Sequence, residues 1–226
     1  MAKTFSNRYI FIYSAVLVVA AALILTVVSV SLKPLQTKNQ EAEKKQMILK
    51  TIGVEATRDN AAELYAQYIT EKTNEKGLPY YTFEARGKGL YRHGGYIIPL
   101  NGTGLWGPIW GYLAIDIDAS STIVGAVFDH KGETPGLGGE IATDKFAQRF
   151  IGKSMDTSPI VLKKNASKEF PYSKYEVDAI SGGTMTSNGI TAMLEKAFEN
   201  YRNLNIQNTQ STPNTPTEEA REEATE

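Results

Sequence analysis

The chain has 226 residues, a formal net charge of −1 and an apolar fraction of 42%, which suffices for one substantial domain with accessory segments. The balanced charge, without a basic run of interleaved aromatics, argues against a nucleic-acid-binding protein. Cysteine is absent and the histidines are His93 and His130 alone. This composition excludes disulfides, thiol nucleophiles and thiolate-ligated clusters, and it disfavours a histidine-rich metal or haem site. Any redox chemistry here requires an organic cofactor.

Residues 9–32 form an apolar segment without charge, proline or glycine. As a helix the segment would be about 36 Å long, enough to cross a hydrocarbon core of about 30 Å. A cleaved signal peptide is the alternative, but its apolar region spans only about 7–15 residues. The triplet Ser29-Val30-Ser31 is also a weak cleavage site. We therefore predict a retained transmembrane helix over 9–32.

The charges on either side of this helix leave its orientation undecided. Lys3 and Arg8 precede it, whereas lysines at positions 33, 38, 44 and 45 follow it. Applied to these counts, the positive-inside rule does not favour an exported C-terminal body, although the rule weakens when a long folded domain follows.

The next residues predict a helical stalk over 33–77. Lys33-Pro34 predicts a break in the helix, because proline lacks an amide donor and restricts its predecessor. Helices are then predicted at 40–51 and at 58–73. The second has an apolar stripe: Ala61, Leu64, Tyr65, Tyr68 and Ile69.

From residue 78 onward the pattern predicts an α+β domain with a largely antiparallel sheet flanked by helices. Strands are predicted at 79–84, 95–100, 111–117, 122–128, 159–164 and 174–180. A helix over 140–150 should turn Ile141, Phe146 and Phe150 inward. A last helix from 187–188 to about 204 should bury one side: Ile190, Met193, Leu194, Ala197, Phe198 and Tyr201. A disordered acidic tail is predicted over 206–226, because 207–226 lacks aromatic and large aliphatic residues.

Residues 178–190, DAISGGTMTSNGI, carry the strongest functional signal. A strand ends, small residues follow, and the hydroxyls of Thr184, Thr186 and Ser187 precede a helix. Glycines let backbone amides approach a ligand, hydroxyls donate, and a helix N-terminus carries partial positive charge, so this order is typical of a phosphate site. A helix merely capped by Ser187 or Asn188 explains the same residues, and both interpretations stay open here.

Two further glycine-rich segments each allow a packing and a functional interpretation. Residues 132–140, GETPGLGGE, form either a plain turn or a surface on which a planar ligand lies close to the backbone. Residues 102–111, GTGLWGPIWG, place Trp106 and Trp110 among glycines. These tryptophans either fill the core or form the wall of a loop beside an aromatic cofactor. Taken singly, each segment favours the packing interpretation.

Together with the apolar helix, the segments GLWGPIWGYLAI, GETPGLGGEI and DAISGGTMTSNGI resemble, in this order, the C subunit of the sodium-translocating NADH:quinone oxidoreductases. More broadly, the chain resembles the flavin-binding domains shared with the G subunit of the Rnf electron-transport complex. The resemblance covers nearly the whole chain, and the combination is specific although each segment alone is only suggestive. It implies a short cytoplasmic N-terminus over 1–8 and an FMN-binding domain over 78–205.

The family's flavinylation pattern is an aspartate, two variable residues, Ser or Thr, Gly, usually Ala, and the acceptor Thr or Ser. It falls on Asp178, Ser181, Gly182, Gly183 and Thr184, with Gly183 where alanine is usual. The resemblance implies an FMN joined through its phosphate to the Thr184 hydroxyl. A separate magnesium-dependent flavin transferase that uses FAD would install it, since no His or Cys lies near Thr184 to activate the hydroxyl.

The remaining expected cofactor-binding residues follow from the same three segments. Thr186 and Ser187 are the hydroxyls next to the acceptor, and Asp178 is expected to serve recognition or the modification step. The isoalloxazine ring is expected beside four side chains of the two glycine-rich loops: Leu105, Trp106, Thr134 and Leu137.

The resemblance also implies a single-pass inner-membrane subunit whose FMN domain is periplasmic, which decides the orientation that the lysines leave open. Electrons would arrive from an iron centre in neighbouring membrane subunits and leave to another covalent FMN on the path from NADH to quinone. Alternatives are an Rnf-type subunit and a membrane-tethered sensor that holds FMN without a covalent bond. Residues 9–32 contain no carboxylate, so this chain alone is not expected to conduct sodium.

Overall fold

The computed structural model of the chain describes residues 6–85, 94–117, 121–169 and 172–210, with side chains up to residue 204. The chain divides into two compact units, Met1–Lys44 and Lys45–Glu226. His93 lies outside the described residues. The two units are described separately.

The N-terminal unit consists of the greater part of one helix, α1 (Asn7–Thr51), which is long and apolar enough to cross a membrane. Large apolar side chains between positions 9 and 35 are exposed along it. Pro34 lies inside α1, so the predicted break at Lys33-Pro34 and the separate helix over 40–51 are wrong. Proline removes one intrahelical hydrogen bond, but helix propagation gains one bond per residue on both sides.

The C-terminal unit contains a five-stranded antiparallel sheet in which each strand pairs with the next along the chain. A short helix, α2 (Ala61–Tyr68), precedes the sheet. The strands are β1 (Thr70–Thr73), β2 (Pro79–Phe83), β3 (Gly95–Thr103), β4 (Pro108–Asp116) and β5 (Ile123–His130). The predicted α+β class with a largely antiparallel sheet is confirmed.

The helix predicted over 58–73 is shorter, because its last residues form β1 instead. Thr70 to Thr73 pair with residues 79–82 of β2 in antiparallel register, and this pairing outweighs the local helix propensity. The predicted stripe packs inward: Ala61, Tyr65 and Ile69 are buried. Leu64 and Tyr68 are partly buried against the same cluster.

Three short helical segments replace the single helix predicted over 140–150: a 3₁₀-helix (Gly138–Ala142), α3 (Asp144–Ala147) and a second 3₁₀-helix (Gln148–Phe150). Thr143 interrupts the run with an extended backbone, and its hydroxyl oxygen accepts a hydrogen bond from the Phe146 amide at 3.3 Å. Ile141, Phe146 and Phe150 are buried as predicted.

The remaining elements are two short parallel strands and a long helix. β6 (Val161–Lys163) pairs with β7 (Glu176–Asp178), each shorter than the strand predicted there, and a 3₁₀-helix (Tyr172–Lys174) precedes β7. α4 (Thr184–Gln210) begins before the predicted start and ends after the predicted end. The first residues of the predicted tail, up to residue 210, are therefore helical, whereas 211–226 lie outside the described residues.

The sheet is covered on both faces because side chains alternate along each strand. Ile98 and Leu113 belong to a core shared with α4 and the helical segments between Gly138 and Phe150. Ile97 and Tyr112 belong to a second core shared with α2 and the last residues of α1. Residues 102–111, 132–140 and 178–190 meet where β3 ends, β4 begins and β5 ends.

Candidate functional site

Three loops form the candidate site, and a single buried carboxylate joins them. The first loop turns from β3 to β4 and is closed by a hydrogen bond of 2.8 Å from the Gly104 amide to the Gly107 carbonyl. The second follows β5, and the third turns from β7 into α4. Glu133, in the second loop, is only 4% exposed and contacts the other two.

The two carboxylate oxygens of Glu133 accept hydrogen bonds from different loops. Oε1 accepts from the Trp106 amide at 2.8 Å, and Oε2 accepts from the Thr186 hydroxyl at 2.5 Å. The amide of Glu133 itself donates to Nδ1 of His130, at the end of β5, at 3.1 Å. A buried carboxylate is costly unless it is hydrogen-bonded, and here the bonds that satisfy it also connect the loops.

Two glycines make room for this carboxylate. A Cβ placed on Gly104 would lie 2.5 Å from Oε1 of Glu133. A Cβ on Gly138 would collide with both Oε2 of Glu133 and the hydroxyl of Thr186. A side chain at either position would displace the carboxylate from its present place, so the glycines in these two loops have a structural cause.

The third loop is held at both of its ends. At its start, the Asp178 carboxylate accepts from the Ala166 amide at 3.0 Å, and Arg149 donates to the carbonyl oxygens of Asp178 and Ala179 at 2.8 and 3.3 Å. At its end, the Ile180 amide donates to the Ser187 hydroxyl oxygen at 3.1 Å. The turn between these points is therefore fixed.

Gly182 and Gly183 form this turn and differ in their surroundings. Gly182 is exposed and has a φ of +73°, and a Cβ there would lie 2.6 Å from Cδ2 of Leu137. Gly183 is buried, and its amide donates to the Ile180 carbonyl at 3.1 Å. The turn thus requires glycine at 182, and it brings the third loop against Leu137 of the second.

The predicted hydroxyls separate into an exposed and a buried set. Thr184 is exposed at the first residue of α4, and Ser181 is exposed in the turn before it. Thr186 and Ser187 are 1% and 2% exposed, and both are used in the hydrogen bonds described above. The structure therefore places Thr184 at the surface and directs Thr186 and Ser187 inward.

Large apolar side chains are exposed on the same loops. Trp106 is 69% exposed, Leu105 53%, Leu137 44% and Met185, next to Thr184, 59%. Thr134 is exposed in the second loop, and its carbonyl accepts from the amides of Leu137 and Gly139 at 3.1 and 3.0 Å. Trp106 does not fill the core, whereas Trp110 is half-buried on β4. The loops thus offer an apolar surface beside an exposed hydroxyl.

Sequence reasoning missed Glu133 and Arg149. Glu133 is the only acidic residue between Gly132 and Gly139, and an acid between glycines before a tight loop was a usable signal. Arg149 had no such signal, because its bonds to the third loop depend on how distant segments pack.

Comparison with known proteins is consistent with this arrangement. The family model described as FMN-binding domain matches residues 104–199, which include all three loops. The C subunit of the Na⁺-translocating NADH-quinone reductase from Chlamydia caviae is 37% identical over 127 residues, which cover 49% of this chain but only 40% of that protein. Its counterpart from Neisseria meningitidis serogroup A is 29% identical over 84% of this chain and 90% of that protein.

A solved structure extends the match to the fold. The crystal structure of the C subunit of the Na⁺-translocating NADH-quinone reductase from Parabacteroides distasonis superposes with a TM-score of 0.65 and 30% identity, over 81% of this chain and 98% of that chain. The superposition thus takes in nearly the whole of that relative. The chain therefore belongs to the family formed by the C subunits of the Na⁺-translocating NADH-quinone reductases.

Proposed function

We propose that this chain is a membrane-anchored electron-transfer subunit that holds one FMN, joined through its phosphate to Thr184, within a sodium-translocating NADH:quinone oxidoreductase. One observation carries the proposal. Thr184 is an exposed hydroxyl at the first residue of α4, inside the region that matches the FMN-binding domain. The two other hydroxyls of α4's first turn, Thr186 and Ser187, are buried and hydrogen-bonded.

The residues around Thr184 fit an FMN. The first turn of α4 directs its amides and the positive end of the helix dipole toward a phosphate on Thr184. The exposed side chains of Leu105, Trp106 and Leu137 offer apolar surface to a flat ring. Thr134 adds a hydroxyl near that surface, and Ser181, Gly182 and Gly183 shape the turn.

Thr184 would act as the nucleophile when the cofactor is attached. Its hydroxyl oxygen forms the new bond to the FMN phosphorus of FAD, the pyrophosphate bond breaks and AMP leaves. The hydroxyl proton passes to a base of the flavin transferase, because the hydroxyl needs activation that no neighbouring side chain in the sequence supplies. Asp178 supports this step by holding the start of the loop through the Ala166 amide.

In the complex, bound FMN supplies a group that accepts and donates electrons one at a time. The chain's part is to hold that group in place: α1 anchors the protein in the membrane, the three loops orient the ring, and the ester prevents its loss. The other membrane subunits of the complex are the electron partners. The FMN domain faces the periplasm, and electrons pass from NADH toward quinone.

A mass measurement on matched variants tests the attachment. The full chain, co-expressed with a flavin transferase, is expected to gain the mass of FMN less one water, mapped to the peptide that contains Thr184. Thr184→Val, which keeps the shape but not the hydroxyl, should lose the adduct completely. Thr184→Ser, which keeps the hydroxyl, should retain it.

The adduct's position decides the outcome. An adduct that persists in Thr184→Val, or that maps to Ser181, would place the acceptor elsewhere in the loop. A flavin that co-purifies but dissociates on denaturation would instead support the non-covalent sensor.

A further inference from the structure

Glu133 has a role that neither the proposed ester nor the apolar surface explains. We propose that Glu133 is a positioning residue for the flavin: its carboxylate fixes the three loops around Thr184, and its negative charge disfavours reduction of the bound flavin. This inference rests on the proposed function, because it concerns FMN held at Thr184.

The positioning role follows from what the carboxylate bonds to. Each loop expected to touch the flavin is connected to Glu133: Trp106 by its amide, the first turn of α4 by Thr186, and Leu137 by lying in the same loop. Both bonds are made within the protein, and Glu133 itself is only 4% exposed. Releasing the carboxylate would free the first loop and the start of α4 together.

The electrostatic role follows from the kind of donors that face Glu133. Within the described part of the chain, the carboxylate oxygens accept hydrogen bonds from an amide and a hydroxyl, and neither donor carries a positive charge. Partial compensation comes from the N-terminal end of the α4 dipole. Coulomb interaction falls only with the inverse of distance and is stronger away from water. Adding electrons to a ring held by these loops is therefore disfavoured.

The flavin-free chain tests the positioning role by amide hydrogen exchange. Glu133→Ala removes the acceptor for the Trp106 amide, and that amide should exchange about tenfold faster than in the wild type. Glu133→Gln keeps an oxygen for this bond, and the Thr186 hydroxyl can rotate to accept from the new amide. Protection of Trp106 should therefore survive in Glu133→Gln. An unchanged exchange rate in Glu133→Ala would overturn the positioning role.

Spectroelectrochemical titration of the FMN-loaded chain tests the charge. Glu133→Gln, which removes the charge and keeps the shape, should raise the flavin midpoint potential. The ratio of reduced to oxidised flavin at a fixed potential should rise at least about threefold. Glu133→Asp, which keeps the charge, should stay closer to the wild type. Glu195→Gln, an exposed carboxylate farther along α4, is the control for loss of charge alone.

The outcomes separate this inference from the function on which it rests. A midpoint potential in Glu133→Gln equal to that of Glu195→Gln would overturn the electrostatic role, as would an equal rise in Glu133→Asp. A wild-type chain that takes up no flavin would contradict the proposed function and remove the effect on potential with it. The exchange measurement would still decide the positioning role.

Discussion

Thr184 and Thr186 are two residues apart on one helix, yet Thr184 is exposed whereas Thr186 is buried, with only 1% of its surface accessible. Two positions along an α-helix correspond to a rotation of about 200°, so the side chains point in nearly opposite directions. The helix begins at Thr184, and this start places that hydroxyl in solvent. Helix geometry thus distinguishes the exposed hydroxyl, which is the proposed flavin acceptor, from the buried structural hydroxyl, where residue type alone does not.

Gly182 and Gly183 differ sharply in what alanine would do, although the family pattern makes alanine usual at the second. Gly182→Ala should lower the free energy of unfolding by about 1–2 kcal/mol, because its φ is +73° and L residues disfavour that region. Gly183 has no such φ, and its Cβ would lie 3.0 Å from Cγ2 of Ile180. Gly183→Ala should therefore change stability by less, and denaturant unfolding of both variants measures this difference.

Adduct yield in the same two variants gives a second measurement. We expect the adduct yield of Gly183→Ala to be at least that of the wild type, and the adduct yield of Gly182→Ala to be lower. Equal losses of stability in the two variants would mean that backbone conformation does not control this turn.

The sequence predicts best those elements in which apolar residues recur at helical spacing, because these residues form the buried face. Ile190, Met193, Leu194, Ala197 and Tyr201 are buried on α4 as predicted, with Phe198 partly buried. The start of α4 was misplaced because Ser187 and Asn188 are strong capping residues. Ser187 instead accepts a hydrogen bond from the Ile180 amide of the preceding turn.

What sequence could not predict depends on contacts between distant segments. The three candidate loops are recognisable from their glycines and hydroxyls, and the structure brings them together. The bonds of Glu133 could not be predicted, because its partners Trp106 and Thr186 lie 27 and 53 residues away. The strand β1 was missed for a similar reason, since its residues pair with β2 farther along the chain.

The short β6–β7 pair carries an ionic contact that should make its stability depend on acid. The ammonium of Lys163 on β6 donates to the carboxylate of Glu176 on β7, which also accepts from the Ser167 amide. The Lys163 bond, followed by the Ser167 bond, lowers the pKa of Glu176 below its ordinary value. A lowered folded-state pKa stabilises the protein above the unfolded-state pKa, and this contribution is lost as pH falls through the folded-state pKa.

Glu176→Gln should therefore unfold at lower denaturant than the wild type at neutral pH, and the difference should shrink below about pH 5 and disappear in stronger acid. Denaturant titrations from neutral pH to about pH 3 measure it. Glu195→Gln, which removes an exposed carboxylate on α4, is the control for loss of charge alone. A gap between wild type and Glu176→Gln that stays constant into acid would show that the contact does not act through ionisation.

At the scale of the whole molecule, the sheet separates two hydrophobic cores, one on each of its faces. One core, built around Ile97 and Tyr112, joins the sheet to α2 and the last residues of α1. The other, around Ile98 and Leu113, joins it to α4. α4 carries Thr184 at its first residue and is held at the ends of β3 and β5 through these contacts and Glu133. The loops therefore rest on a sheet that is packed on both faces, a rigid support for a redox group.

The proposed periplasmic position of this domain can be tested directly, because the chain contains no cysteine and an introduced one is the only thiol. Lys164→Cys, at an exposed turn after β6, should react with a membrane-impermeant maleimide added to spheroplasts. Ser6→Cys, exposed ahead of α1, should react only after lysis. The reverse labelling pattern would put the domain in the cytoplasm, so the transferase and the electron partners would have to meet Thr184 on that side. Labelling of both sites before lysis would show that the chain does not cross the membrane in a single orientation.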